Sequence, residues 1–403
     1  MRTIWAAILL TAATGRADEP AALATKKIPA ISLLPPGSQL HGMMLPRYDK
    51  NQKLSTVLKS AVVTLIDEHR LQGDSVNISF YNPDESPRAL IEMKKAELDQ
   101  SRGLIRASEK VTIRSERLNA HGSALVYQLE QNRGFLSGPA ETRIRSNTKT
   151  TMTPPQSLIR PTAAWLSSAA LSLASPATGS DPASTAASAS QAHLDQAAKS
   201  RDSLRADLEA SAHATRAARE FLDVAEIQSQ NPSQPANPAT QPLETPSSSE
   251  ETRVECDGGI YFDADEGIIV YLQNVRVNDP RFELSGANEL KVFLQKKASP
   301  DPANTKSFGG NFDKVDRIIA TGAVRFLQKN PQAGKEPVEA SGAIFTYHPE
   351  SGQIILTGGY PWVKQGSTYL RAKQPQLTLR IEKDGSFVTE GQWDMGGKLN
   401  SKP

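Results

Sequence analysis

The chain has 403 residues, which leaves room for two or three domains. Its 46 Lys and Arg residues nearly balance its 44 Asp and Glu residues. The net charge of +2 excludes a strong polyanion-binding field over the whole chain, so we expect no nucleic-acid partner. The one cysteine, Cys256, cannot form an internal disulfide and lacks the Cys-His spacing of a metal site, so we interpret it as an incidental thiol.

The N-terminus has the pattern of an export signal. Arg2 supplies a positive start, positions 4–13 form a short apolar run, and the small residues Gly15 and Ala17 suit a cleavage site. A run of about ten residues is too short to cross the ~30 Å hydrocarbon core of a membrane as a helix. We therefore expect residues 1–17 to be a signal peptide, residues 18–40 to be a lead-in, and the mature protein to be periplasmic and peripheral to membranes.

Residues 41–147 alternate between apolar and polar side chains with the period of two that is typical of β-strands. The clearest stretch is 104–114, in which the odd positions are apolar except Glu109 and the even positions after Leu104 are polar. This pattern predicts one antiparallel strand with a buried side and a solvent-facing side. We expect 41–147 to be an N-terminal β domain.

Residues 148–253 differ from the rest because Ala, Ser, Pro, Thr and Gln dominate. Such a stretch has too little apolar surface to offset the entropy of ordering, so we expect a long, largely disordered linker. Within it, 191–228 has no Pro or Gly, is rich in helix formers, and carries a thin apolar stripe that includes Leu204 and Leu208. This candidate helix could dock or form a coiled coil, but the thin stripe favours a solitary, solvated helix.

From residue 254 to residue 393 the alternation returns, and turn signals such as Asn278-Asp279-Pro280 interrupt it. No segment of either β region shows sustained helical periodicity. The sequence therefore predicts an all-β fold with roughly eight or more short strands in each domain. We expect 254–393 to be a C-terminal β domain and 394–403 to be a tail.

One ordered set of motifs occurs in both β regions. The pattern Ile-x-Ala-x-x-x-Val-x-(Ile/Phe) is followed by Ala-x-Gly-x-x-x-x-Tyr and then by Leu-x-Gly, and only the turn between the first two pieces changes in length. Spacing that is fixed within strands and variable in a turn indicates a duplicated β unit. We interpret the glycines of this set, together with those at 286 and 322, as bends or bulges that curve the sheets. The two copies comprise Ile105, Ala107, Val111, Ile113, Ala120, Gly122, Tyr127, Leu136 and Gly138, and Ile318, Ala320, Val324, Phe326, Ala340, Gly342, Tyr347, Leu356 and Gly358.

The sequence offers no catalytic constellation. Its histidines are scattered without His-x-x-x-His or His-Glu-x-x-His pairing, and it contains neither a Gly-x-Ser-x-Gly elbow nor a phosphate-binding glycine loop. The acidic stretch 263–267 suggests a calcium loop, but its glycine comes one position early and Asn274 stands where the bidentate Glu belongs. We interpret this stretch as a hairpin turn, and we expect no enzymatic activity, no metal and no cofactor.

The set of motifs resembles the OstA-like domain of the lipopolysaccharide-transport bridge proteins, LptA and its relatives. The resemblance covers residues 254–393, with its motifs between Phe282 and Val363, and to a lesser extent residues 41–147. The N-terminal region, from Leu45-Pro46 onwards, is similar to a looser LptC-like or LptA-like unit. Two features depart from the family pattern. The long Ala/Ser/Pro insert is foreign to single-domain bridge proteins, and the N-terminus looks cleavable.

The resemblance implies two OstA-like twisted β-jelly-roll domains, each open along one side, whose apolar interior holds the acyl chains of lipopolysaccharide or a related amphiphile. It also implies joining to other Lpt-type bridge proteins by edge-strand addition. The alternative is a structural or adhesive cell-envelope protein with solid β-sandwich cores and no lipid cargo. The side chains that we assign to the lipid-binding groove are Ile105, Ala107, Val111 and Ile113 in the first domain, and Leu290, Val292, Leu294, Ile318, Ala320, Val324, Phe326, Leu377 and Leu379 in the second.

Overall fold

The computed structural model describes both β regions and one helix. The described ranges are 34–48, 52–82, 84–115, 118–145, 182–225, 251–296, 312–329, 336–382 and 386–397. The predicted signal peptide, most of the lead-in, the remainder of the linker and most of the tail lie outside the described residues.

The described ranges contain strands β1 to β22 and helix α1, in agreement with the predicted all-β fold. The first region contains β1 (Gln39–Tyr48), β2 (Leu54–Leu65), β3 (Arg70–Tyr81), β4 (Pro87–Asp99), β5 (Leu104–Ala107), β6 (Val111–Ser115), β7 (Leu118–Gly122), β8 (Leu125–Gln128), β9 (Arg133–Ser137) and β10 (Ala140–Arg145). After α1 (Pro182–Val224) come β11 (Glu251–Cys256), β12 (Gly259–Asp263), β13 (Ile268–Asn278), β14 (Phe282–Lys296), β15 (Phe312–Gln328), β16 (Val338–His348), β17 (Gln353–Thr357), β18 (Trp362–Gln365), β19 (Thr368–Ala372), β20 (Thr378–Ile381), β21 (Phe387–Thr389) and β22 (Trp393–Gly396).

The strands pair antiparallel in one continuous sheet that divides into two branches. Strands β1 to β4 pair in order, and β4 then pairs with both β5 and β6. Branch A continues through β5, β8, β9 and β12, branch B continues through β6, β7, β10 and β11, and both meet again at β13. Beyond β14, β15 and β16 the sheet divides into β17, β20 and β21 of branch A and β18, β19 and β22 of branch B. Strands β13 to β16 therefore contribute to both branches.

The two branches meet along a corner where the chain bends, and glycines occupy this corner. Gly286 has a φ of +73°, and a Cβ atom there would lie 2.1 Å from the carbonyl oxygen of Ala323. Gly322 has a φ of +137° and a similarly close backbone neighbour, the nitrogen of Asn288. A side chain fits at neither position, because the neighbouring backbone occupies the space and the backbone conformation favours glycine. The interpretation of these glycines as bends is confirmed by the register shifts on both strands.

The duplication inferred from the motifs is confirmed by the strand register. Ile105 of β5 lies opposite Tyr127 of β8, just as Ile318 of β15 lies opposite Tyr347 of β16. Across the corner, Val111 and Val324 both lie opposite a glycine of the second motif. Strands β5 and β6 together therefore correspond to β15, and the correspondence extends to β9 with β17 and to β13 with β21 and β22.

The prediction of one strand over 104–114 is wrong in one respect. Strand β5 ends at Ala107 and pairs within branch A, whereas β6 begins at Val111 and pairs with β4 in branch B. The corner falls between them, so Glu109 is exposed and does not interrupt a buried face. The alternation of apolar and polar positions continues from β5 to β6 because the inward-facing side chains of both strands are apolar.

The two β regions are directly joined by strand pairing. Strand β10 pairs with β11 from Ala140 opposite Cys256 to Arg145 opposite Glu251, and β9 pairs with β12. The segment 146–250 is thus an insertion whose ends lie on neighbouring strands. The independence of the predicted domains, 41–147 and 254–393, stays a prediction.

Helix α1 begins nine residues earlier than the prediction of 191–228 and ends at Val224. The prediction that it is solitary and solvated is wrong, because its C-terminal half packs on the outer face of branch A. Phe221 contacts Tyr261 with ring centroids 5.7 Å apart, and small residues such as Ala214 and Ala218 allow a close approach to the sheet. Within the described ranges, no helix has both the length and the apolar character that a bilayer-spanning segment requires. Among the described side chains of α1, the buried ones are Asp207, Ser211, Ala214, Ala218 and Phe221, and Ala225 directly after the helix is also buried.

Candidate functional site

The interior between the two branches is lined on the branch A side by residues that lie opposite one another on successive strands. We call this set row A. Every member is buried in a single core that extends through both β regions. In spatial order, row A consists of Ala107, Leu125, Leu136, Ile260, Tyr271, Leu290, Ala320, Phe345, Leu356 and Leu379.

A second set of opposed residues, row B, lines the branch B side of the same interior. Its members are buried from β3 to β18 and become partly or fully exposed at the two ends of the sheet. Because neighbouring strands are about 4.8 Å apart, row B extends on the order of 60–70 Å along the sheet surface. In spatial order, row B consists of Leu45, Leu58, Ile78, Ile91, Ile113, Ala120, Thr142, Val254, Val277, Leu284, Phe326, Ala340, Val363, Leu370 and Met395.

The structure brings together almost all the predicted groove residues. Leu294 and Ile318 are partly buried against the interior core, whereas Leu377 lies in the turn before β20 and not on a strand. The prediction that Leu377 lines the groove on the same strand as Leu379 is wrong, because a turn at 374–377 precedes β20. The remaining ten predicted residues are buried in the interior core: Ile105, Ala107, Val111, Ile113, Leu290, Val292, Ala320, Val324, Phe326 and Leu379.

The interior is tightly filled by side chains that contact each other across it. Phe326 of row B stacks on Phe345 of row A, with ring centroids 5.9 Å apart. Near β1 to β5 a narrow apolar cleft remains, with a free volume of about 20 Å³, lined by residues that include Met43, Gly73 and Ile105. An acyl chain therefore requires the branches to separate before it can enter.

Strand pairing joins the two branches along the corner. The branches are connected along the corner, and away from the corner each branch ends in its own hairpin turns. Branch A ends, for example, in the turn between β12 and β13, and branch B ends in the turn between β13 and β14. Rotation of one branch about the glycine-rich corner would break apolar contacts but no backbone ladder.

Two members of the rows that were not predicted as site residues carry hydroxyl groups. They are Tyr271 of row A and Thr142 of row B, and both are buried. Burial raises the pKa of the Tyr271 phenol above its usual range, so the hydroxyl keeps its proton. Cys256 lies in the same core, burial raises its pKa to about 11, and its thiol donates to the Gly259 carbonyl at 3.3 Å. Their alignment depends on the pairing of β10 with β11, which local alternation does not reveal.

The outer face of branch A at the junction is covered by α1, which is anchored to both β regions. Asp207 accepts a hydrogen bond of 2.7 Å from Arg317, and its second carboxylate oxygen lies 3.1 Å from Nε2 of His348. At the other end of the helix, Arg106 donates to the carbonyl oxygen of Ala225 at 3.1 Å. The helix therefore spans the strands of branch A from β15 and β16 to β5.

The outer face of branch B at the junction carries a ladder of opposite charges. Glu141 of β10 contacts Arg143 on its own strand, and Arg253 of β11 donates to it at 2.8 Å. Burial opposes the ionisation of Glu141, but the hydrogen bonds and positive charges of these two arginines outweigh it and lower the pKa of the carboxyl. The ladder continues through Glu255 to Arg276. Charge complementarity thus favours the observed register of the junction.

The acidic stretch 263–267 forms the predicted hairpin turn between β12 and β13. Asp263 accepts backbone hydrogen bonds from Asp265 at 3.0 Å and Glu266 at 2.8 Å. These bonds use the carboxylate within the turn itself. In the part of the chain that the structure describes, no three His, Cys, Asp or Glu side chains converge as metal ligands would.

Among the described strands, the sheet has a free edge at each end. In these ranges β1 pairs only with β2, and Met44 and Tyr48 are exposed there. At the other end, β21 pairs only with β20 and β22 only with β19 among the same strands, and Val388 and Met395 are exposed. Unpaired backbone donors and acceptors at such edges can accept a strand from another chain.

No protein-family model and no curated protein matches the chain. Among solved structures it is similar to the crystal structure of LptH from Pseudomonas aeruginosa, described as the LptA homologous periplasmic component of the lipopolysaccharide transport device. The sequence identity is 14%, the TM-score is 0.29, and the similarity covers 36% of this chain and 94% of that chain. A similarity at this TM-score carries no argument about function, which must rest on the geometry of the interior.

Proposed function

We propose that the protein is a non-catalytic, periplasmic lipopolysaccharide-binding and transfer protein that shields acyl chains between branch A and branch B. The observation that carries this proposal is the pair of facing rows, which continue without a break from one β region to the other. A solid core needs no such continuity between two duplicated units, whereas an acyl chain that moves along the molecule does.

An acyl chain that enters the interior would replace side-chain contacts that are already present there. Burial of an acyl chain contributes about 0.8 kcal/mol for each methylene group. Separation of the branches removes contacts such as that between Phe326 and Phe345, which the incoming chain then replaces. Small residues in the rows, including Ala107 and Ala320, leave space once the branches part.

The free edges provide the sites at which other Lpt-type bridge proteins would join. An incoming strand that pairs with β1, or with β21 and β22, would extend both branches and continue the apolar interior into the partner. Export to the periplasm would place the chain between the two membranes, where such a bridge operates.

Photo-crosslinking in cells tests the lipid assignment. A photoreactive residue at Val324, which is fully buried in the interior, should become labelled with lipopolysaccharide. The matched control is the next residue, Arg325, whose side chain is 61% exposed and contacts Glu339 on the outer face. Equal labelling at the two positions would contradict the groove.

The second candidate is a structural or adhesive cell-envelope protein, which the close packing of the interior favours. Purification from native membranes followed by lipid extraction separates the two candidates. A co-purified amphiphile supports transfer. A protein that carries no amphiphile and does not bind added lipopolysaccharide supports the structural candidate.

A further inference from the structure

A cleft lies between α1 and the corner of β13 and β14, and we call it the helix-side cleft. Its free volume is about 580 Å³, within the range of roughly 300–1,000 Å³ that is typical of small-molecule sites. Leu272 and Glu289 lie opposite each other in its wall. Both face away from the interior between the branches, because successive side chains of a strand point to opposite sides and their neighbours Tyr271 and Leu290 belong to row A. The polar side chains of the cleft include Thr215, Arg219, Gln273, Asn274, Asn288 and Glu289.

The corner of β13 contains one residue more than the corner of β3. Strand β3 precedes β4 in the sheet as β13 precedes β14, and Gly73 lies opposite β4 as Tyr271 lies opposite β14. On β3, the buried Val76 follows Gly73 by three positions, whereas on β13 the buried Val275 follows Tyr271 by four. The fold therefore turns this corner without the extra residue, which is a local feature of β13.

The extra residue places two consecutive side chains of β13 in the left-handed region. Gln273 has a φ of 61° and Asn274 a φ of 48°, whereas the corner of β3 has Ser75 alone, at 52°. Strained backbone of this kind clusters at ligand sites, where a bulge can redirect a side chain. The backbone nitrogen of Asp257 donates to the Gln273 carbonyl at 2.9 Å, and Asn274 donates to the Asp257 carboxylate at 2.8 Å. These bonds stabilise the bulge and leave the Gln273 side chain in the wall of the cleft.

Helix α1 forms the other wall of the cleft, and a buried ion pair joins it to the sheet. The hydroxyl of Thr215 donates to Oε2 of Glu289 at 2.9 Å, and Nζ of Lys291 lies 2.6 Å from the same oxygen. The Lys291 side chain is 2% exposed. Burial opposes the ionisation of Glu289, but the positive charge of Lys291 and the hydrogen bonds to the carboxylate outweigh it and lower the pKa. Both partners of the pair are therefore charged.

The charges of the helix-side cleft balance. Lys291 offsets Glu289, and Arg219 and Asp223 are four residues apart on α1, so they lie on the same side of the helix. A charged ligand would therefore meet a repulsive group as well as an attractive one. This balance favours a neutral ligand over a phosphate, a carboxylate or an amine.

The uncharged side chains of the cleft match a ligand that is rich in hydroxyl groups. The amides of Gln273 and Asn288 each provide hydrogen-bond donors and an acceptor, and neither has a side-chain partner among the described residues. A sugar hydroxyl both donates and accepts, so it can bind either end of an amide. Leu222 and Leu272 add apolar surface that can contact the C–H groups of a sugar ring.

We propose that the helix-side cleft is a binding site for a neutral mono- or disaccharide. The amides of Gln273 and Asn288 bind its hydroxyl groups, and the Arg219 guanidinium donates further hydrogen bonds to them. The cleft lies on the outer side of branch A, away from the interior that would hold acyl chains. The site therefore goes beyond the proposed lipid transfer and does not depend on it.

Titration of the full-length protein with defined sugars tests the site. The neutral probes are maltose, lactose and diacetylchitobiose, and the charged comparators are glucose phosphate and glucosamine. Calorimetry and saturation-transfer NMR should detect binding of at least one neutral disaccharide at one site per chain. The charged sugars should bind more weakly.

Two variants each remove one amide from the cleft. Asn288→Ala and Gln273→Gly should weaken binding of the disaccharide roughly fivefold, which corresponds to the ~1 kcal/mol of one net hydrogen bond. Glycine adopts a positive φ without strain, so Gln273→Gly should not lower the melting temperature. A purely structural role of Gln273 would not weaken binding in a variant of unchanged stability.

The matched pair on α1 is Arg219→Ala and Arg216→Ala. Both arginines are exposed, but Arg219 lines the cleft and Arg216 does not. Arg219→Ala should weaken binding of the disaccharide, and Arg216→Ala should leave it unchanged.

Each outcome decides the proposal. Neutral disaccharide binding that is weakened in the Asn288, Gln273 and Arg219 variants, but not in the Arg216 variant, supports it. Binding that all four variants leave unchanged lies elsewhere on the protein and overturns the site. No detectable binding of the neutral probes at millimolar concentration, or stronger binding of a charged sugar, overturns the assignment of the ligand. Lipopolysaccharide labelling at Val324 is unaffected by any of these results, so failure of this site is distinguishable from failure of the proposed function.

Discussion

Strand β13 and the pair β21–β22 occupy corresponding places in the duplicated unit, yet their surroundings differ. Val277 of β13 is 6% exposed, whereas the corresponding Met395 of β22 is 74% exposed. On branch A, Val270 is fully buried beneath α1, whereas the corresponding Val388 is 44% exposed. Strand β14 covers the edge of β13, and no strand in the described ranges covers β21 or β22.

The comparison teaches that the exposure of these apolar residues follows from their position in the sheet. A strand at this position is buried when a long bent strand lies beside it, as β14 lies beside β13. It is exposed at β21 and β22, where the described ranges contain no such neighbour. The junction therefore indicates what kind of strand could cover β21 and β22. It would be an antiparallel strand that contributes to both branches, as β14 does.

The largest effect is expected from a charge placed on each of the two corresponding strands. Val277→Asp puts an unpaired carboxylate in the core and should lower the free energy of unfolding by about 3–5 kcal/mol. Met395→Asp lies at an exposed edge and should change it by no more than ~0.5 kcal/mol. Urea denaturation of both variants measures the difference. Comparable losses would contradict the contrast between the two edges.

A smaller effect on the free energy of unfolding is expected when the packing of α1 on branch A is weakened. Phe221→Ala removes the ring that packs on Tyr261 and should cost about 3 kcal/mol, since it leaves a cavity under α1. The control on the same helix is Leu208→Ala at a 39% exposed position, with an expected change of ~0.5 kcal/mol or less. A neutral Phe221→Ala would show that α1 does not stabilise the junction in solution.

The smallest effect concerns the pH dependence of the junction. The pKa of Glu141 is lowered in the folded protein, so its contribution to stability is present above about pH 4.5 and is lost as the pH falls through the folded pKa. In Glu141→Gln, unfolding should therefore depend less on pH in the acidic range. The corresponding residue of β18 is Trp362, and Trp362→Phe should leave the acid dependence as in the wild type. Identical acid profiles for Glu141→Gln and the wild type would show that the ladder does not act in solution.

The sequence was sufficient to predict the features that depend on local alternation. Val111 and Val324 are buried because each lies on the apolar side of a short strand, and fixed motif spacing was sufficient to reveal the duplication. The glycines at 286 and 322 were predicted as bends, but the corner between β5 and β6 was not. Turn chemistry was sufficient for the hairpin at 263–267.

Features that depend on distant strands could not be predicted in this way. The outer face of branch A is apolar where Val270, Tyr261 and Ile319 align, and they align only through strand pairing. The apolar stripe of α1 looked thin in the sequence because small residues, alanine and serine, provide much of the contact between α1 and branch A. The positions of Tyr271 and Thr142 in facing rows and the junction likewise depend on the pairing of β10 with β11, which are separated by the long insertion.

The insertion has a consequence for the engineering of this chain. Arg145 and Glu251 lie opposite each other, so their Cα atoms are about 4.5–5.5 Å apart. A short β-turn could connect them directly and would yield a minimal protein in which the sheet continues without α1. Conversely, a reporter module fused between these two positions would leave and re-enter the fold at one point, so the strand pairing on either side need not change.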